Sequence, residues 1–235
     1  MEVVALLPGL VWSTHRMLRT ISLYDMIVLP AFIALAVYSQ HLQLAYFAFV
    51  GMGIYFAALM VFNVIKKKTV IKQAINRSLF FGCALAIGCL LSSMSIFPTL
   101  QHTSQTSKRA GGVDYEYAAS FSLHPEEVVS LIESDFVGWK EYYWGRNALK
   151  LNSEYFGVVF LFAAIMLFVM RKQRFYHYLL GGFFIGAVLF ALGPHTPVHR
   201  LAYHLVPGIK SFRAPSMMHL WMMFPAIVLG TIAID

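Results

Sequence analysis

The sequence predicts an all-α polytopic membrane protein with about five to six transmembrane helices and a small extracytoplasmic loop domain. Three observations predict it. Of 235 residues, 59% are hydrophobic and only 12% charged, whereas a soluble domain carries roughly 25% charged residues, so a globule of this size would lack polar surface. The apolar residues are gathered into long runs, as a lipid solvent demands. Seven of the eleven acidic residues fall in one polar stretch, residues 98–152, between two apolar runs.

The first apolar run, residues 3–12, contains Pro8 and Gly9 and is too short to span, since a helix needs roughly 20 residues. It lacks the basic flank and cleavage site of a signal peptide and reads as the tail of a longer helix or a re-entrant piece. His15, Arg16 and Arg19 follow as a basic turn. Residues 23–38 form the first full span, with Pro30 inside and Asp25 near the start, at headgroup depth or in a functional role. After a tight polar turn, residues 43–65 form the second span, where Gly51 and Gly53 favour close helix approach. Lys66, Lys67, Lys68, Lys72 and Arg77 make the densest basic cluster. Residues 78–97 are the third span and residues 155–170 the fourth, closed by Arg171, Lys172 and Arg174. Residues 178–192 are the fifth. A second polar loop, residues 193–216, leads to the last span, 217–234. Cys83 and Cys89 share one apolar run. Six helical residues separate them by about 9 Å of rise, too far for a disulfide, and they read as packing residues.

The net charge of +7 does not imply nucleic acid, because the bases cluster beside apolar runs. Alternating spans send residues 13–22, 66–77 and 171–177 to one face, with ten Lys and Arg and no acid. Residues 39–42, 98–152 and 193–216 reach the other, with eight bases mixed with seven acids. The positive-inside rule makes the first face cytoplasmic and residues 98–152 extracytoplasmic. The expected organisation is N-terminal spans over 1–97, a loop domain over 98–152 and C-terminal spans over 153–235.

Inside the loop, residues 108–112 read as a polar turn. His124-Pro125-Glu126-Glu127 reads as a helix start, with Pro in the first turn and carboxylates at the positive end of the dipole. Val128, Leu131 and Ile132 follow as one apolar face. The aromatic residues from Phe136 to Trp144 suit either the bilayer interface or a sugar-binding surface. The half-helix at the start and the flush apolar end lead us to expect a fragment of a longer polytopic protein.

Four stretches together resemble the YfhO family of bacterial membrane proteins, which look like members of the GT-C glycosyltransferase superfamily. Gln40-His41-Leu42-Gln43 with Tyr46 is similar to the family's His-Pro-Gln turn, with Leu42 where Pro is usual. Asp114-Tyr115-Glu116-Tyr117-Ala118-Ala119-Ser120-Phe121-Ser122 is similar to the start of its outer loop. Asp135-Phe136-Val137-Gly138, Tyr143-Trp144-Gly145 and Tyr155-Phe156-Gly157 resemble its Phe-x-Gly and Tyr-Trp-Gly signature. Lys210-Ser211-Phe212-Arg213-Ala214-Pro215 resembles its Phe-Arg-Ala-Pro segment. The resemblance implies a protein of the bacterial cytoplasmic membrane that moves a sugar from a polyprenyl-phosphate carrier to a cell-envelope glycopolymer acceptor. It also implies that the catalytic acid lies in an earlier outer loop, outside this fragment. A transporter or flippase component for lipid-linked precursors, or a non-catalytic scaffold, are the alternatives. A transporter would carry ionisable residues deep in its spans, and only Asp25 comes near that.

Arg213 is the leading candidate for substrate binding, because a guanidinium just before an outer span can hold a lipid-linked phosphate in a bidentate contact. Lys210, Arg200 and His41 are further phosphate or acceptor contacts. Trp139, Tyr143 and Trp144 are candidates to stack on sugar. Asp114, Glu116 and Asp135 are the carboxylates that could activate an acceptor hydroxyl. His195, His199 and His204 are not expected to bind metal, because Pro194 and Pro197 break the helix they would share. No cofactor is predicted, although a divalent metal is compatible with the chemistry.

Overall fold

The computed structural model describes residues 2–106, 112–138, 140–147, 155–170 and 174–235. Residue 139, residues 107–111 and the basic residues Lys150, Arg171 and Lys172 lie outside the described set. Helices and connecting loops make up the described residues, with no strand among them. They fall into two units, residues 1–106 and 107–235.

The first unit holds five helices: α1 (Glu2–Met17), α2 (Asp25–Tyr38), α3 (Leu42–Ile65), α4 (Ile71–Leu91) and α5 (Ser93–Thr106). α1 packs on α2 and α3, and α2 lies along α4. The core is Leu7, Leu10, Met17, Leu29, Ile33 and Met52, all fully buried. Gly88 lets α4 meet α2 closely, because a Cβ there would stand 2.7 Å from the Ile33 side chain. Phe56 of α3 stacks on Phe81 of α4 with ring centres 4.1 Å apart. Gly53, expected to favour close approach, instead faces open space.

Two boundaries differ from the expectation. α1 is a helix of 16 residues that takes in His15 and Arg16, where a short piece and a turn were expected. The buried Ser13 hydroxyl is satisfied within the helix, donating to the Gly9 carbonyl at 2.8 Å, and His15 Nδ1 lies 2.9 Å from the Tyr55 hydroxyl of α3. The third apolar run is broken at Ser92. The Ser92 hydroxyl donates to Gly88 O at 2.7 Å, a back-bond that bends helices, and the Tyr38 hydroxyl donates to Leu91 O at 2.8 Å. The carbonyls at the end of α4 are thereby satisfied. Residues 98–106, expected as the start of the polar loop, continue α5.

Asp25 opens α2 and is enclosed by polar partners. It is 1% exposed, accepts from Arg16 Nε at 2.8 Å and from the Ser22 hydroxyl at 2.6 Å. Arg16 in turn lies over the rings of Trp12 and Tyr24. Nearby, Arg77 donates to the Arg19 carbonyl at 3.1 Å and to the Thr69 hydroxyl at 3.3 Å. The basic segments 13–22 and 66–77 therefore meet at one end of this unit.

The second unit contains α6 (Tyr115–Ala118), α7 (Val158–Met170), α8 (Phe175–Ala191), α9 (Pro197–Leu205) and α10 (Leu220–Ile234), with short 3-10 turns between them. α10 packs against both α7 and α8, around Ala164, Leu167, Leu180 and Leu229. Trp221 is buried and stacks on Phe183 at 4.7 Å. The second polar loop splits at its prolines as expected: Pro194 lies in a 3-10 turn and Pro197 opens α9.

Three helices are long and apolar enough to cross a membrane: Leu42–Ile65, Ile71–Leu91 and Pro215–Ile234, the last being a 3-10 turn running into α10. Asp25–Tyr38, Val158–Met170 and Phe175–Ala191 are apolar but shorter, below the roughly 20 residues of a full span. Long and shorter helices alike carry exposed apolar side chains. Leu79 is 62% and Leu90 71% exposed on α4, with Val159 and Val169 exposed on α7. Contiguous apolar faces of this kind are stable against lipid rather than water.

Candidate anion-binding site

The site is built where the two polar loops of the second unit join. The backbone joins them first: Val113 N–H donates to Lys210 O at 2.9 Å, Ala214 N–H to Ser120 O at 3.0 Å and Leu123 N–H to Ala191 O at 2.7 Å. Side chains add to this. The Tyr203 hydroxyl donates to Val113 O at 2.5 Å, and the Phe121 carbonyl accepts from both Ser216 Oγ at 2.8 Å and Asn147 Nδ2 at 3.2 Å.

On this frame α6 presents Tyr115 and Tyr117, and three cations of the second polar loop rest on aromatic rings. The Arg213 guanidinium lies 5.5 Å from the Tyr117 ring centre and 5.1 Å from that of Phe121, and donates to the Tyr117 hydroxyl at 3.2 Å. Arg200 lies 5.2 Å over Tyr115 and Lys210 5.2 Å over Tyr203. Tyr115 and Tyr203 meet edge to face at 5.5 Å, so Arg200 and Lys210 share one ring pair, while Arg213 rests on Tyr117 and Phe121. Each contact of this type is worth about 0.5–1 kcal/mol at an exposed site. That is enough to bias a long side chain's orientation without cancelling its charge, as a carboxylate would. Arg200 and Lys210 make no ion pair among the described residues. The face can therefore attract and hold an anion with planar, multidentate donors.

Beneath it lies His199, 3% exposed, between Tyr115 at 5.6 Å and Phe190 at 4.9 Å. Its Nδ1 has no partner among the described residues. Burial pushes its pKa down to about 4, so it is neutral at physiological pH and supports the rings above it.

The carboxylate candidates are dispersed. Asp114 caps α6, accepting from Tyr117 N–H at 2.8 Å, which is a helix-starting role. Glu116 is exposed on α6 and Asp135 is exposed in a turn. Tyr143 is half-buried. Its hydroxyl donates to Glu127, accepts from Asn147 N–H at 2.9 Å, and is pushed above the usual tyrosine range by burial and by that carboxylate. Tyr143 thus reaches the Arg213 platform through Asn147 and the Phe121 carbonyl. Trp144 is exposed, donates from its indole to Phe136 O at 2.9 Å and meets the Phe136 ring edge on. Trp139 lies outside the described residues. His41 belongs to the first unit, at the start of α3, and is exposed.

Sequence reasoning named the three cations but missed the role of Tyr115, Tyr117, Phe121 and Tyr203 as their platform, and the burial of Glu127 and His199. The Tyr-Glu-Tyr run on α6 gave no signal of that platform, because residues two apart on a helix point to different sides, and each ring meets a different cation, Tyr115 with Arg200 and Tyr117 with Arg213. The His124 to Glu127 helix start is present as a 3-10 turn, Pro125–Leu131, in which Glu127 accepts from His124 N–H at 2.9 Å. No family model, curated protein or solved structure matches this chain.

Proposed function

We propose that the chain is part of a GT-C-like membrane glycosyltransferase, and that the Arg213 face binds the phosphate of a polyprenyl-phosphate-linked sugar. The observation that carries this reading is Arg213 held on Tyr117 and Phe121 just before a helix long enough to cross a membrane, with Arg200 and Lys210 on the rings of Tyr115 and Tyr203 in the same pair of joined loops. A lipid-linked phosphate needs positive charge at the end of a span. A sugar beside it gains from ring faces, and Tyr117 is 38% exposed. In this reading Arg213 clamps the phosphate, Arg200 and Lys210 raise its local concentration, and exposed Trp144 lies at the interface. The acceptor is an envelope glycopolymer, reached from outside the cytoplasmic membrane. The meeting of the basic segments 13–22 and 66–77 at one end of the first unit supports the opposite, cytoplasmic side for them. The shorter apolar helices, tilted or packed against partners, would raise the number of spans to five or six.

The test is sugar transfer from a polyprenyl-phosphate donor by membranes containing the full-length protein. Arg213→Ala is expected to abolish transfer while leaving the amount of folded protein unchanged. Unchanged transfer removes Arg213 from the site, and donor translocation without transfer would favour a flippase instead.

A further inference from the structure

Away from the cation face, two histidines from distant segments meet. His195 Nε2 and His124 Nδ1 are 3.1 Å apart, with ring centres at 5.0 Å and planes inclined by 60°. Both residues reach solvent, His124 partly and His195 openly. We propose that this pair is a chelating site for a divalent transition-metal ion of the zinc, nickel or copper type. The first argument is the span of the pair. Two nitrogens 3.1 Å apart, each about 2.1 Å from a common ion, subtend roughly 95°, between the right angle of an octahedral site and the tetrahedral angle. Small rotations of the two rings aim both lone pairs at that point, with little change in the separation the backbone already sets.

The second argument is preorganisation. His124 follows Leu123, whose N–H is bonded to Ala191 O at 2.7 Å, and its own N–H is held by Glu127 at 2.9 Å. His195 N–H donates to Leu192 O at 3.1 Å. Gly193, with φ +54°, is seated against Ser122 so closely that a Cβ would collide with the Ser122 side chain. Both imidazoles are therefore delivered by fixed backbone, which lowers the ordering cost of binding.

No third His, Cys, Asp or Glu completes the set among the described residues, so water or an anionic ligand takes the remaining positions. Imidazole selects zinc, copper and nickel over magnesium or calcium. The ion would staple the 124–147 loop to the α8–α9 junction, independently of the phosphate face.

The experiment is Zn²⁺ titration of the full chain, purified without a polyhistidine tag, followed by calorimetry. One saturable site is expected, weakened about tenfold or more in His124→Gln and in His195→Gln and unchanged in His204→Gln, which alters an exposed histidine of α9. No saturable site, or equal affinity in all variants, overturns the proposal. If the variants fold poorly, Cu²⁺ electron paramagnetic resonance on the unaltered chain decides. Two nitrogen ligands support the pair, and fewer than two overturn it.

Discussion

The hydroxyl of Tyr143 donates to the carboxylate of Glu127, a side chain with no exposed surface, across sixteen positions of loop. Glu127 also accepts the His124 N–H. The same tyrosine oxygen accepts from Asn147 N–H. One buried carboxylate therefore starts the 3-10 turn and closes the loop around itself. A buried charge left short of donors costs more than the bond it loses is worth. Tyr143→Phe, which removes one donor and keeps the ring, is expected to cost about 1–3 kcal/mol and to open residues 124–147 to limited proteolysis. Unchanged cleavage would mean that the loop is held by its apolar contacts alone.

His199 makes the second unit sensitive to acid. Burial holds the folded group neutral down to about pH 4, whereas its ordinary value is 6.5. Between those values the unfolded chain takes up a proton that the folded chain refuses, so stability falls as pH drops from about 6.5 to 4. Above 6.5 both states are neutral at this residue and it adds no slope. Thermal melts in detergent should show this loss, and His199→Phe should flatten it between pH 4 and 6.5. An identical slope in the variant would assign the acid sensitivity elsewhere.

The fold was legible where one physical requirement sets one boundary. The apolar run of residues 43–65 is a helix over Leu42–Ile65 because lipid demands continuous apolar surface. The break at Ser92 was hidden because the hydroxyl that satisfies the preceding carbonyl comes from Tyr38, 53 positions away. The site shows the same division. Arg200, Lys210 and Arg213 could be named from their place before a span. Their rings could not, because Tyr117 reaches Arg213 across 96 positions. Glu127 was readable as a helix-start carboxylate, but its burial depends on Tyr143.

Arg16 and Asp25 make an asymmetric pair, since the carboxylate is buried and the guanidinium is 39% exposed. Removing each should have unequal consequences. Arg16→Gln leaves a desolvated carboxylate with Ser22 as its remaining side-chain donor in this contact, while Asp25→Asn leaves a cation that still reaches water and two rings. Arg16→Gln is therefore expected to be the more destabilising. The double variant should recover part of that loss, because it removes the uncompensated charge. Unfolding in denaturing detergent measures all three. Equal losses for the two single variants would mean that Asp25 is hydrated in the folded protein.

Glycines on two helices separate packing from propensity. A Cβ on Gly230 of α10 would stand 2.6 Å from the Phe160 carbonyl oxygen and 2.9 Å from its Cα on α7. Backbone of a packed helix cannot step aside as a flexible side chain can, so Gly230→Ala must push α10 off α7. The expected cost is about 1–3 kcal/mol, with rearrangement around Leu167 and Leu229 in the shared core. Gly53 of α3 has nothing within 4 Å of the same construction. Gly53→Ala should be neutral or stabilise by up to about 1 kcal/mol, the helix preference of alanine over glycine. The two substitutions add the same methyl group, so opposite signs in one unfolding assay isolate helix–helix contact as the cause. A destabilised Gly53→Ala would show instead that α3 has a partner on that side.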